Sequence, residues 1–185
     1  SFFTNNVFKN APWYVGYFDD KKSIELGQVS GDLIGASAAG KGIKVAYRFG
    51  EKHSAGAFYT NSSGLFNSDQ SIISYGAWYR LKYNENIRLI AKAGRSNNTF
   101  IDRTTTVASV QPTIRFLNAH SVSFLGGFSN QEFQQNSATV NTNGYLLGTS
   151  YSSSLLKRKL KSNISVRYND RNFSNGTTER AFLNQ

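Results

Sequence analysis

Residues 71–94 read SIISYGAWYRLKYNENIRLIAKAG. Ile73, Tyr75, Ala77, Tyr79, Leu81 and Tyr83 recur at every second position, with Ser74, Gly76, Trp78, Arg80 and Lys82 between them. After Asn84-Glu85-Asn86 the alternation resumes, Ile87, Leu89, Ala91 and Ala93 standing against Arg88, Ile90, Lys92 and Gly94. A period of two sends successive side chains to opposite faces of a β-strand, so one face is apolar and the other polar. In a soluble sheet the apolar face points into a protein core. In a membrane barrel it points outward into lipid, and the polar face lines a lumen.

The same pattern recurs along the chain. Ile43, Val45, Tyr47 and Phe49 alternate with Lys44, Ala46 and Arg48, then a turn at 50–53 leads into Ala55, Ala57 and Tyr59. Val110, Pro112, Ile114 and Phe116 oppose Gln111, Thr113 and Arg115, and Val122, Phe124, Gly126 and Phe128 follow a turn near 117–120. Tyr145, Leu147, Thr149 and Tyr151 precede a basic turn around Lys157–Lys161, with Ile164, Val166 and Tyr168 beyond it. WYVGYFDDKKSIELGQV reads as two shorter strands around Asp19–Lys22. Pro112 lacks an N–H, so its strand is expected to begin late or carry a bulge.

Connection lengths are expected to alternate. Short turns fall at 19–22, 50–53, 84–86, 117–120 and 155–161; long polar stretches fall at 30–42, 61–71, 95–106 and 129–143, with a polar tail at 169–185. The long stretches are rich in Asn, Ser, Thr, Gln and Gly. An outer-membrane barrel has a physical reason for this order, because one rim carries tight periplasmic turns and the other long extracellular loops. Greek-key sandwiches mix connection lengths freely.

Composition agrees with strands. The chain has 185 residues, enough for one domain, with 14 Phe, 10 Tyr, 16 Gly and only 2 Pro. No run approaches the apolar length of a transmembrane helix, which leaves strand-spanning barrels open. There is no Cys, so disulfides, thiolate nucleophiles and Cys-based metal sites are excluded. The chain starts at Ser1 with neither initiator methionine nor signal peptide, and reads as processed, truncated or a fragment.

Net charge is +10, from 21 Lys plus Arg against 11 Asp plus Glu. The bases are spread over many strands and no nucleic-acid-binding motif accompanies them, so nucleic acid is not an expected partner. With the apolar set facing lipid, the candidate lumen-lining bases are Lys44, Arg48, Arg80, Lys82, Arg88, Lys92, Arg115 and Arg167, with Glu25 the obvious acid. A charge on the lipid face costs ~2–4 kcal/mol at mid-membrane, so the inward assignment is also the cheaper one. Such a wall forms a positive passage or a seat for an acidic plug, against the plainer reading of a solvated, unselective wall. Tyr47, Phe49, Tyr79, Tyr83 and Phe116 stand beside the short turns as a candidate aromatic girdle, although Tyr and Phe favour strands anywhere.

Catalysis has no foothold. His53 and His120 are the only histidines, both are expected in turns, and no nucleophile or metal-protease motif is present. No cofactor or metal is expected. The Gly-rich Gly27–Gly42 stretch carries Gly-Lys-Gly where a phosphate loop needs Gly-Lys-Ser/Thr.

SIELGQVSGDLIGASAAGKGIKVAY, residues 23–47, resembles a segment of large Gram-negative outer-membrane barrels: strand, Gly-Asp, small-residue loop, Gly-x-Gly, strand. The resemblance is to usher-like and other secretion barrels, including those of Bacteroidota, and covers about 25 residues. It implies a barrel that passes protein or polymer across the outer membrane, and it carries over no catalytic residue. The expected fold is therefore all-β: an antiparallel up-and-down meander of about ten strands over 1–185, forming one segment of a transmembrane β-barrel. The expected function is a non-enzymatic pore or translocation channel for solute, polymer or protein in the outer membrane of a Gram-negative bacterium. Its expected partners are outer-membrane lipid and other subunits of a membrane complex or a plug. The first and last strands both have their outer ends on the long-loop side, so further strands or a partner chain are expected to complete the wall. The competing expectation is a soluble or cell-surface β-domain that binds a ligand or glycan through its long polar loops.

Overall fold

The computed structural model describes residues 12–33, 38–63, 70–117, 119–135, 138–155, 160–173 and 178–184; the side chains of β11 and of several β10 residues lie outside that description. The described chain is all-β. Eleven antiparallel strands form one sheet in strict sequence order. They are β1 (Tyr14–Phe18), β2 (Lys22–Ser30), β3 (Ala39–Phe49), β4 (His53–Ser63), β5 (Ser71–Lys82) and β6 (Ile87–Asn98), followed by β7 (Arg103–Phe116), β8 (His120–Gln135), β9 (Ala138–Leu155), β10 (Leu160–Phe173) and β11 (Thr178–Asn184). The sheet is open: β1 and β11 are its edges and do not pair with each other.

Side-chain oxygens and one glycine fix the short turns. Asp19 Oδ1 accepts the N–H groups of Lys21 and Lys22, each at 2.7 Å. Asn84 Oδ1 does the same for Asn86 and Ile87, each at 2.8 Å. Both are Asx turns, the local chemistry these residues favour. Gly50 has a φ of +73°, which a side chain would resist, and it sits in the β3–β4 turn.

Two expectations about connections are corrected. Residues 95–106 and 129–143 are not long loops: β6 and β7 run up to a turn at 99–102, and β8 and β9 extend as one long hairpin to residues 136–137. Polar side chains at alternate positions keep the ladder going, because backbone pairing does not require an apolar face. Likewise the stretch 169–185 is not a tail: β10 continues through Phe173 and β11 follows, making eleven strands where about ten were expected, and this last strand runs back toward the short-turn side instead of ending on the long-loop side. Pro112 lies inside β7 with no bulge. Ladder pairing to β8 skips from Val110–Gly126 to Thr113–Ser123 in unchanged register, so the missing donor falls on that side.

The two faces differ in burial. On one face Thr60, Ser74, Ser96, Thr105, Ser109, Thr142 and Ser165 are buried, spread from β4 to β10. On the other, Ile43, Val45, Tyr59, Tyr75, Val110, Ile114, Phe124, Phe128, Tyr145 and Leu147 are exposed, Tyr75 at 47 %. No second sheet covers this apolar face among the described residues. The sheet thus curls around its small and polar side and leaves its apolar side uncovered.

The strands are also staggered. One row of cross-strand partners runs Phe49–His53–Leu81–Leu89–Pro112, and past the ladder gap continues Phe124–Thr149–Val166. The last pair before each short turn moves steadily across this row, from Phe18–Ser23 through Phe49–His53, Lys82–Arg88 and Phe116–His120 to Leu155–Leu160. The drift is about one residue per strand. At ~3.3 Å rise and ~4.8 Å strand spacing, it corresponds to a tilt of roughly 35–40° between the strands and the normal to the short-turn rim.

Candidate functional site

The enclosed face is built from cross-strand rows, and the central rows create a socket. Phe58, Gly76, Gly94 and Val107 are successive partners across β4 to β7. The two glycines leave a notch between a phenyl ring and a valine, and Leu33 drops into it. A Cβ at Gly94 would come within 2.5 Å of Leu33 Cδ2, and one at Gly76 within 3.0 Å. Leu33, Ala38, Phe58 and Val107 together form the hydrophobic cluster of the enclosed side. Residues 31–33 after β2 therefore turn toward the enclosed side, and the Gly31 N–H donates to the Ala38 carbonyl at 2.6 Å.

The rows on either side are polar. Above the notch lie Thr60, Ser74, Ser96 and Thr105, with Thr60 and Ser74 fully buried and the Ser74 and Ser96 hydroxyls 2.8 Å apart. Below it lie Gly56, Trp78, Lys92 and Ser109. Lys92 bonds and ion-pairs with Asp32, from the same inward connection that carries Leu33. Lys44 pairs with Glu25 at 3.3 Å on the adjacent strand.

The remaining bases gather toward the short turns. Arg48, Arg80, Lys82, Arg88 and Arg115 share the enclosed face by register and are exposed, with no salt bridge among the described residues. Lys82 and Arg88 are direct cross-strand partners, a like-charge placement that costs stability unless solvent or an anion relieves it. The Arg80 guanidinium lies 5.4 Å from the centroid of the Trp78 ring. Arg48, Ser54, Trp78 and Arg80 converge with the 19–23 turn on a recess of about 170 Å³. Arg167 takes the register position opposite Gly148, and its side chain lies outside the described residues.

Tyr47, Phe49, Tyr79 and Phe116 lie on the opposite, exposed face beside the short turns, Tyr47 and Phe49 meeting edge-to-face at 4.8 Å. Tyr83 falls just past the end of β5 and is exposed, its N–H donating to the Ile87 carbonyl at 3.0 Å. The histidines are corrected: each begins a strand instead of sitting in a turn. His53 Nδ1 is 2.5 Å from the Tyr79 hydroxyl, and His120 Nδ1 is 2.6 Å from that of Tyr151. The same face carries a groove of about 610 Å³ floored by Ala77, Ala91, Ala93 and Ala108, with Tyr79 and Phe128 among its walls.

Nothing among the described residues groups three or more potential metal ligands, and no described helix is long and apolar enough to cross a membrane. No protein-family model matches the chain, and no curated protein or solved structure matches it either.

Proposed function

We propose that this chain forms the wall of an outer-membrane β-barrel in a Gram-negative bacterium, a non-enzymatic pore or translocation channel for solute, polymer or protein. The observation that carries the reading is the inversion of the two faces: small and polar residues enclosed, large apolar residues uncovered. Leaving that much contiguous apolar surface in water is unfavourable, whereas in a bilayer it needs no cover. The band also has a fitting height. From Ala108 to Phe116 the outward residues of β7 are apolar, and Thr106 and Thr104 beyond them are polar. Eight residue steps at ~3.3 Å, tilted by about 35–40°, rise roughly 20 Å, near the ~25 Å band of known barrels.

On this reading the bases at the short-turn rim attract anions, and the inward segment carrying Asp32 and Leu33 narrows the passage. Further strands or a partner chain complete the wall. The test is reconstitution. The protein is expected to require detergent, to float with liposomes, and to give anion-preferring conductance in planar bilayers. Replacing Arg48, Arg80, Lys82, Arg88 and Arg115 by Gln is expected to abolish that preference. A protein that stays monodisperse without detergent and leaves liposomes untouched overturns the membrane reading.

A further inference from the structure

Five basic residues of the enclosed face, unlike the ion-paired Lys44 and Lys92 farther from the short turns, lie together beside those turns. Arg48 and Arg80 occupy one row, in β3 and β5, linked through Ser54. Lys82 and Arg88 lie one inward position lower, and Arg115 one lower still, on β7. This descent follows the stagger of the hairpin turns. The five bases therefore form an arc parallel to the rim, about 20 Å across four strand spacings of ~4.8 Å. An arc at constant height presents a line of positive charge to whatever enters from the short-turn side.

What surrounds the arc narrows the chemistry. Most of its neighbours are hydroxyls: Ser54 between the two arginines, Thr113 bonded to Ser123 at 2.8 Å, and Ser121 bonded to Ser152 at 2.8 Å, with Ile90 opposite Arg80. Among the described residues of β3 to β7, the aromatic ring on this stretch of the enclosed wall is Trp78, half-buried at the edge of the 170 Å³ recess. Hydroxyl-rich walls with an indole face and guanidinium donors suit sugar rings bearing anionic groups: the indole stacks on a ring, hydroxyls meet hydroxyls, and Arg forks hold carboxylates. A peptide chain would instead look for apolar pockets at alternate positions, and among the described residues the arc offers a single apolar side chain, Ile90 opposite Arg80. Asp20 also borders the recess as an acceptor for sugar hydroxyls, while Asp19 is already engaged by the amides of its own turn.

We propose that the rim arc, with Trp78 and Arg80 at its centre, is a binding site for an acidic oligosaccharide entering from the short-turn side. The inference rests on the channel reading and names the class of ligand that channel engages. A single sugar unit seats in the recess bounded by Arg48, Ser54, Trp78 and Arg80, and the following anionic units run along Lys82, Arg88 and Arg115.

The test uses the full chain in planar bilayers, with defined oligogalacturonates as probe, added on either side. Neutral malto-oligosaccharides of equal length and poly-glutamate of equal charge are the controls. Oligogalacturonate is expected to block current from one side only, at a concentration at least tenfold below that of either control. W78L is expected to weaken this block about tenfold and to change chloride preference by less than R80Q does, because inorganic anions do not stack on a ring. R80Q and K82Q are expected to weaken both. Equal block by poly-glutamate overturns the saccharide assignment in favour of an acidic peptide. Anion-selective conductance with no block by either polymer overturns the binding site and leaves the channel standing. Absence of conductance and of liposome association overturns the channel reading itself.

Discussion

Leu33 and Gly94, separated by much of the sheet in sequence, meet so closely that a Cβ on the glycine would lie 2.5 Å from Leu33 Cδ2. The contact ties an inward connection to a wall strand, and it depends on the absence of a side chain. Gly94→Val is expected to expel Leu33, exposing residues 31–33 to protease, and to loosen the local β5–β6 pairing, because the new Cβ also falls 2.5 Å from the Tyr75 carbonyl oxygen. Leu33→Ala, which removes the plug and leaves the notch, is expected to cost about 2 kcal/mol, the low end for a buried Leu. Unchanged proteolysis in Gly94→Val would show that the segment is held by something else.

The buried hydroxyl row offers a second check. Ser74 and Ser96 lie 2.8 Å apart on neighbouring strands, one fully buried and the other nearly so. Ser74→Ala leaves the Ser96 hydroxyl short of a partner in an enclosed site, at an expected cost of about 1–2 kcal/mol. A double-mutant cycle with Ser96→Ala is expected to recover part of that loss. Strict additivity would mean the two hydroxyls do not couple.

Much of this arrangement was legible in the hairpin of residues 71–94. Folding that hairpin about Glu85 sets Gly76 against Gly94 and Lys82 against Arg88, so the notch and the like-charge pair follow from register alone. The notch went unread because a glycine pair announces space and not its occupant. Nothing local to Asp32 or Leu33 points to Lys92 and Gly94, since that meeting is decided by the curl of the whole sheet. The strands of the second half were underestimated for a different reason. Asn, Thr and Gln at 129–143 carry a loop-like composition, yet the β8–β9 ladder extends through them to Gln135–Ala138. The histidines beginning β4 and β8 could have been found by the same pairing, as the tyrosines they meet are on the adjacent strands.

The β7–β8 turn contains a stored conformational cost. Leu117 has a φ of +50° with its side chain 82 % exposed, so it takes on left-handed backbone without a packing return. Leu117→Asn is expected to raise stability by up to about 1 kcal/mol, read as a shifted urea midpoint at constant slope. A destabilised Leu117→Asn would mean that the exposed leucine engages a surface, such as a lipid headgroup layer, in the sample measured.

The β1–β2 turn is expected to respond to pH. The amide donors of Lys21 and then Lys22 hold the Asp19 carboxyl below the usual carboxylate range, against the opposing effect of desolvation and with further help from the Tyr17 hydroxyl and the Lys22 charge. Because the folded group is harder to protonate than the unfolded one, its contribution is whole above pH ~4 and is lost as pH falls through the lower folded value. The Lys21 and Lys22 amide shifts are expected to titrate together with a midpoint below that of an isolated Asp. A midpoint at or above that of an isolated Asp overturns the assignment.

On the uncovered face, position decides what a charge costs. Ala93 lies in the floor of the groove among apolar neighbours, and Ala93→Arg is expected to lower stability in lipid by ~2–4 kcal/mol. Arg95, two residues along the same face, marks where polar residues resume, and Arg95→Gln is expected to be near neutral. Equal tolerance of arginine at both places would remove the band from the argument.

A meander in which every strand pairs only with its sequence neighbours has a consequence for how the molecule comes to exist. Described connections such as 83–86 and 99–102 are a few residues long, so loop-closure entropy stays small at each step and no pairing waits for a distant partner. Assembly can then begin at any hairpin and grow by addition at an edge, each new strand finding a ready template of unpaired N–H and C=O groups. The inward docking of Leu33 is the exception. It needs β4 to β7 already in place, so it closes late, and the rate of that closure reports when the central wall is complete.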